Sequence, residues 1–289
     1  MTTPGQPEVR AFFDGATNTV SYLVSDPASR RAAVIDPVLA YDHARGRPAV
    51  RSAEAILAAA EEARLAIDWV LETHAHADHL TAAPHIKHKT GARIGIGEHI
   101  RDVQQIFRPV FEAGDVSGDG SEFDHLFADG ERFQLGEIPV EVMHTPGHTP
   151  ACVSYRIGDA VFVGDTLFMP DYGTARADFP GGDARTLYRS IRRLLALPAE
   201  TRVFVCHDYP PAGRDHPAWQ TSIAAERENV HLAGRDEDGF VAMRQARDAT
   251  LPAPTLLLPA IQTNIRAGGL PPPESNGISY LRIPVDLPA

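Results

Sequence analysis

Short apolar runs alternate with polar turns along the whole chain and predict strands interleaved with amphipathic helices. Residues 20–24 and 32–35 read as two strands of a meander, split by a turn at Asp26-Pro27 and ended by Pro37. The polar segment 39–51, with Gly46 and Pro48, is expected to be a loop. Ser52 is placed as the cap of a helix running through Arg64, with Ile56, Leu57 and Ala60 on one face. Residues 67–71 and 92–96 read as strands, 83–90 as a short helix, and 98–111 as a helix broken near Pro109. Gly, Asp and Ser crowd 114–120, which predicts a mobile loop.

The β pattern returns at 133–136, 138–143, 153–157 and 160–163. Asp183 is placed as the cap of a helix over 184–197, where Leu187, Ile191, Leu194 and Leu195 make an apolar stripe. A buried strand is expected at 202–206, with charged surface helices at 221–231 and 236–248. The Pro-rich tail, about 251–289, is expected to lie extended on a single domain spanning 1–289.

Composition narrows the classes of function. The 289 residues carry a net charge of -11, so the surface has no broad attraction for nucleic acid or an anionic membrane. The two cysteines, Cys152 and Cys206, make a disulfide framework unexpected and fit a reducing compartment, the cytoplasm. The first residues lack the basic and apolar regions of a signal peptide, and no apolar run is long enough to cross a bilayer.

Candidate chemistry gathers where strands end. Residues 67–71 run into Thr73-His74-Ala75-His76-Ala77-Asp78-His79, three imidazoles and a carboxylate within six residues. His148 follows the strand at 138–143, Asp165 follows 160–163, and His207 follows 202–206. A single histidine after a strand is more often a hydrogen-bonded structural residue than a ligand. Four such strand ends in one chain point to a metal centre, because neutral imidazole and carboxylate suit zinc and iron.

The cluster resembles that of the metallo-β-lactamase fold. The resemblance implies an αββα sandwich, two mixed β-sheets face to face with helices outside. In hydrolases of that fold the residues matching His74, His76 and His148 hold one metal. Those matching Asp78, His79 and His207 hold a second, and Asp165 bridges them. That pattern implies two zincs and a thioester hydrolase of glyoxalase II type; lactam or lactone hydrolysis, or a non-enzymatic metal module, would be further alternatives.

A longer set of matches resembles the persulfide dioxygenases along nearly the full length. They are Ser21-Tyr22-Leu23, Ile35-Asp36-Pro37-Val38-Leu39, the histidine cluster, and Pro146-Gly147-His148-Thr149-Pro150. Further on come Gly164-Asp165-Thr166-Leu167, Arg176-Ala177-Asp178-Phe179, Thr186-Leu187-Tyr188, His207-Asp208-Tyr209 and Asn264-Ile265-Arg266. This resemblance implies one Fe(II) per chain on His74, His148 and Asp165, a 2-His-1-carboxylate triad with open positions for a thiol persulfide and O₂. Glutathione persulfide would be the substrate, sulfite and glutathione the products, and a homodimer the assembly. His76, Asp78, His79 and His207 would then orient the ligands and water by hydrogen bonds.

For the substrate, Arg176 is the candidate grip on a glutathione carboxylate, with a structural pair to Asp178 as its alternative. Tyr209 would face the open metal position or pack as a half-buried ring. Arg266 would reach the site from the tail or pin the tail down. The chain departs from shorter family members at 41–51, 107–122 and 169–174, all where a pocket rim would lie.

Overall fold

The computed structural model describes residues 5–285. The first four residues, on which the expectation of no signal peptide falls, and the last four of the tail lie outside that range. Two six-stranded sheets form the centre. The first runs Glu8–Asp14, Thr19–Ser25, Arg31–Ile35, Ala66–Leu71, Arg93–Gly97, His125–Phe127. Its first two pairings are antiparallel and the other three parallel. The second runs Arg132–Leu135, Ile138–His144, Val153–Ile157, Ala160–Phe162, Arg202–Phe204, Gln220–Ser222, with one parallel pairing, between the fourth and fifth strands.

Among the described residues there are seven helices, in chain order α1 (Arg51–Glu62), α2 (Ala83–Thr90), α3 (Ile100–Val110), α4 (Ala184–Leu195), α5 (Ile223–Glu226), α6 (Glu237–Asp248) and α7 (Leu257–Asn264). Strand alternation divides the core. Tyr22, Trp69 and Phe127 of the first sheet face Tyr155, Phe162 and Phe204 of the second across an apolar layer, with the Tyr22 and Phe162 rings 5.2 Å apart. On the first sheet's other face, Leu23, Val34, Val70 and Ile94 pack under α1, α2, α3 and α7. On the second's outer face, Val161 and Val203 pack under α4, α5 and α6. The layers are helix, sheet, sheet, helix, the αββα sandwich with mixed sheets. Among the described residues no helix is long and apolar enough to cross a membrane.

Several elements differ from expectation. The 39–51 segment holds a hairpin, Val38–Asp42 with Arg47–Ala49, joined to Leu80–Thr81 in a small third sheet. It forms because Leu39 and Tyr41 have apolar partners in Leu80, Leu256 and Ala260, and because Gly46 supplies a turn at φ +61°. Helix α1 starts one residue before Ser52 and has no side-chain cap. The 114–120 loop is tied down: Gly120 N donates to Gln104 Oε1 at 2.9 Å, and Ser117 N to Glu122 Oε1 at 2.8 Å. The helix expected at 221–231 shrinks to the single turn α5, because Gln220–Ser222 joins the second sheet instead. The tail is not all extended, since α7 buries Ala260 and Ile261 against the body. Pro259 lies in its first turn, where the missing N–H costs no helical hydrogen bond.

Candidate metal centre

The parallel strand Ala66–Leu71 is central in its sheet, so its C-terminal end delivers the histidine loop to one edge of the sandwich. Asp36, just past the neighbouring strand, anchors that loop. Its carboxylate accepts from Thr73 N and Thr73 Oγ1, both at 2.8 Å, and lies 3.1 Å from His76 Nε2. Asn264 of α7 anchors it from the other side, donating through Nδ2 to the carbonyls of His76 and His79 at 2.8 Å each. His148 donates from Nδ1 to the carbonyl of Arg176 at 2.8 Å. Thr19 Oγ1 lies 3.4 Å from Nδ1 of both His79 and His207. With one ring nitrogen engaged in this way, each imidazole turns the other inward.

The inward atoms are buried and have no hydrogen-bond partner: His74 Nε2, His76 Nδ1, Asp78 Oδ2, His79 Nε2, Asp165 Oδ1 and His207 Nε2. Six such atoms together would be costly unless a cation satisfied them. His148 Nε2 lies 3.6 Å from Asp165 Oδ2, and His74 Nε2 lies 4.0 Å from it. His207 Nε2 is 3.4 Å from both Asp78 Oδ2 and Asp165 Oδ1. Ligands about 2.1 Å from one ion sit roughly 3–3.5 Å apart, so slight contraction would suit a metal. The donors fall into two groups, His74 with His148 and Asp165, and His76 with Asp78, His79 and His207.

Electrostatics suit ligation. Burial, helped by neighbouring imidazoles, holds His74 and His76 well below the ordinary histidine range, so both rings are neutral with a free lone pair. Burial pushes Asp78 up, but His207 and His79 outweigh it and hold the carboxyl well below its usual range. The residues present therefore fit a metal, and the chemistry of the set is that of a nitrogen- and oxygen-ligated transition ion.

A cavity of about 970 Å³ opens on this group. Asp78, His148, Asp165 and His207 reach it, and so do Arg176 and Tyr209. The Tyr209 ring stacks on His207 at 5.9 Å and lies 5.1 Å from Tyr172. Of the two readings of Arg176, the structure has the pair with Asp178. The arginine fork is filled by Asp178, with Nε to Oδ1 at 2.5 Å and Nη2 to Oδ2 at 2.7 Å, while Nη1 donates to Pro252 O at 2.7 Å. Of the two readings of Arg266, the structure has the one that pins the tail down. Arg266 pairs with Asp115 at 2.6 Å and lines a separate cavity of about 270 Å³ under the tail. Asp36, Thr19 and Asn264 were not singled out as site residues, although Asp36 and Asn264 fall in the matched stretches. Cys206, beside His207, also lies within 4.8 Å of donor atoms in two groupings, one with Asp36 and His76 and one with Asp165 and His207.

Comparisons with known proteins place the chain. Residues 14–207 match the family model described as the metallo-beta-lactamase superfamily. The chain is 52% identical to a probable metallo-hydrolase of Burkholderia pseudomallei, over 96% of this chain and 99% of that one. It is 51% identical to a beta-lactamase hydrolase-like protein of Xylella fastidiosa over 97% of its own length, but spans only 65% of that relative. The mouse mitochondrial persulfide dioxygenase ETHE1 is 29% identical, with 92% of this chain and 91% of the relative covered. The crystal structure of ETHE1 from Myxococcus xanthus superposes with a TM-score of 0.73 at 31% identity, over 91% of this chain and all of that one. The fold, the strand-end cluster and the family match agree: the chain belongs to the metallo-beta-lactamase superfamily.

Proposed function

We propose that the chain oxidises the terminal sulfur of glutathione persulfide with O₂ and water, giving sulfite and glutathione, at one iron held by His74, His148 and Asp165. The observation that carries this reading is that these three donors form one group opening on the cavity, in a chain similar along 91% of its length to ETHE1 of Myxococcus. Iron, when bound, supplies a redox-active centre with coordination positions left over for persulfide and O₂. Zinc has no such redox chemistry.

The residues of the chain do the rest. Neutral His74 offers its lone pair, and the Arg176 carbonyl fixes the His148 tautomer that presents Nε2. Phe168, Phe179 and Tyr209 wall the cavity beside the donors and keep bulk water from the sulfur. Burial disfavours the His207 cation, but Asp165 and Asp78 outweigh it and raise its pKa, so the charged ring is favoured beside these two carboxylates.

The second reading is a two-zinc thioester hydrolase. The complete donor set His76, Asp78, His79 and His207 favours it, as do the hydrolase names of relatives about half identical. Elemental analysis of anaerobically purified protein, with oxygen uptake on glutathione persulfide, separates the two. About one iron per chain with sulfite formed is the expected result. Two zincs, no oxygen uptake and thioester turnover would establish the hydrolase.

A further inference from the structure

The cavity mouth carries arginines that have no ion pair among the described residues. Arg47 of the unexpected hairpin, Arg51 at the start of α1 and Arg247 in the last turn of α6 all line it. Among the described residues none of the three has an ion pair. Other arginines of the region are committed: Arg45 to Asp42, Arg176 to Asp178 and Arg244 to Asp248. Of the acidic side chains at the mouth, all but Asp14 are spoken for as well. Asp42 takes Arg45, and Asp78 and Asp165 belong to the metal group, which leaves Asp14, bonded only to Ala16 N and Thr17 Oγ1, as one unpaired carboxylate against three unpaired arginines.

The helix dipole accounts for a cation at Arg247, in the last turn of α6, but not at Arg51. Arg51 sits in the first turn of α1, where the helix dipole disfavours a cation and no side chain caps the amides. Arg247 spreads over the Tyr172 ring at 5.7 Å, which steadies the guanidinium at the wall while leaving its N–H groups free. In a chain of net charge -11, three unpaired cations around one opening select an anionic ligand.

We propose that Arg47, Arg51 and Arg247 form the rim that receives the carboxylates of the thiol carrier, a role closed to Arg176 by its pair with Asp178. The proposal rests on reading the cavity as a glutathione-thiol site, which the persulfide and thioester readings share. It makes the hairpin at 38–49 a specificity element: a carrier with two carboxylates can bridge the hairpin and α6 while its sulfur points at the metal group.

Titration calorimetry with S-methylglutathione and its diethyl ester tests the rim without turnover, since the methyl cap removes thiol binding to a metal. The wild-type protein should bind the free acid about tenfold or more tightly than the ester. Arg47→Gln, Arg51→Gln and Arg247→Gln should each weaken acid binding about three- to tenfold and leave ester binding unchanged. Arg176→Gln should keep the wild-type preference. Equal affinity for acid and ester, binding of neither, or loss of the preference in Arg176→Gln alone would overturn the proposal. An acid preference that needs all three arginines, in a protein without oxygen uptake, would keep the rim and reject the dioxygenase reading.

Discussion

Asn264 holds His79 by its backbone: Nδ2 lies 2.8 Å from the His79 carbonyl, and the two residues are 185 positions apart. The same amide donates to the His76 carbonyl, and its Oδ1 accepts from Thr81 N at 3.0 Å. Asn264→Ala leaves three buried backbone groups without partners, at a cost of about 2–5 kcal/mol. It should also loosen the histidine loop and lower metal affinity about 10- to 100-fold. Thermal unfolding and metal titration read the two effects separately. A lower Tm with unchanged metal affinity would show that Asn264 only fastens the tail.

Asp165 stands between both donor groups, 3.6 Å from His148 Nε2 and 3.4 Å from His207 Nε2. Asp165→Ala should therefore lose most bound metal and all oxygen consumption. Elemental analysis of the purified variant is the check, and full metal content would reject the ligand role.

His76 is the residue on which the two readings part. Its Nε2 is engaged by Asp36, and its Nδ1 belongs to the group lacking His74 and His148. Under the one-iron reading His76→Gln should keep about one iron per chain. Iron content falling as far as in Asp165→Ala would count His76 among the ligands.

Arg176→Ala should change KM for glutathione persulfide less than twofold. Its guanidinium serves Asp178 and the Pro252 carbonyl, so the expected loss is stability, about 1 kcal/mol for a partly exposed pair. A tenfold rise in KM would return the residue to the substrate.

His231 gives the fold a pH dependence. It is buried under the 168–174 loop, and its Nδ1 accepts from Thr174 N at 2.9 Å. Burial, with Arg244 beside it, pulls its pKa down to about 4 from 6.5. The unfolded chain then binds the proton first, so the contribution is whole above about pH 6.5 and disappears as pH falls through 4. The loss should amount to about 3 kcal/mol. Urea unfolding at pH 7 and pH 4 should show that difference in wild type and a smaller one in His231→Gln. Equal slopes in both would remove His231 as the cause.

The ligand positions were legible because each directly follows an apolar strand, so local pattern and chemistry coincide at His74, His148, Asp165 and His207. The residues that aim them were not. Asp36 reaches Thr73 across 37 positions and Asn264 reaches His76 across 188, and no local pattern records such pairings. The hairpin at 38–49 was read as loop because its apolar partners Leu80, Leu256 and Ala260 lie far along the chain. Prolines hid α7, although one of them falls where a helix tolerates it. Arg176 and Arg266 each allowed a substrate role or a structural one on sequence alone, and only the folded chain shows Asp178 and Asp115 occupying them.

The long reach of Asn264 also sets an order in time. The histidine loop is made early, yet its clamp emerges 188 residues later, about 10–40 s at ordinary rates of synthesis. Until then the ligands are present without their final geometry. The last helix thus fastens the histidine loop only after every candidate ligand, His207 included, has been made.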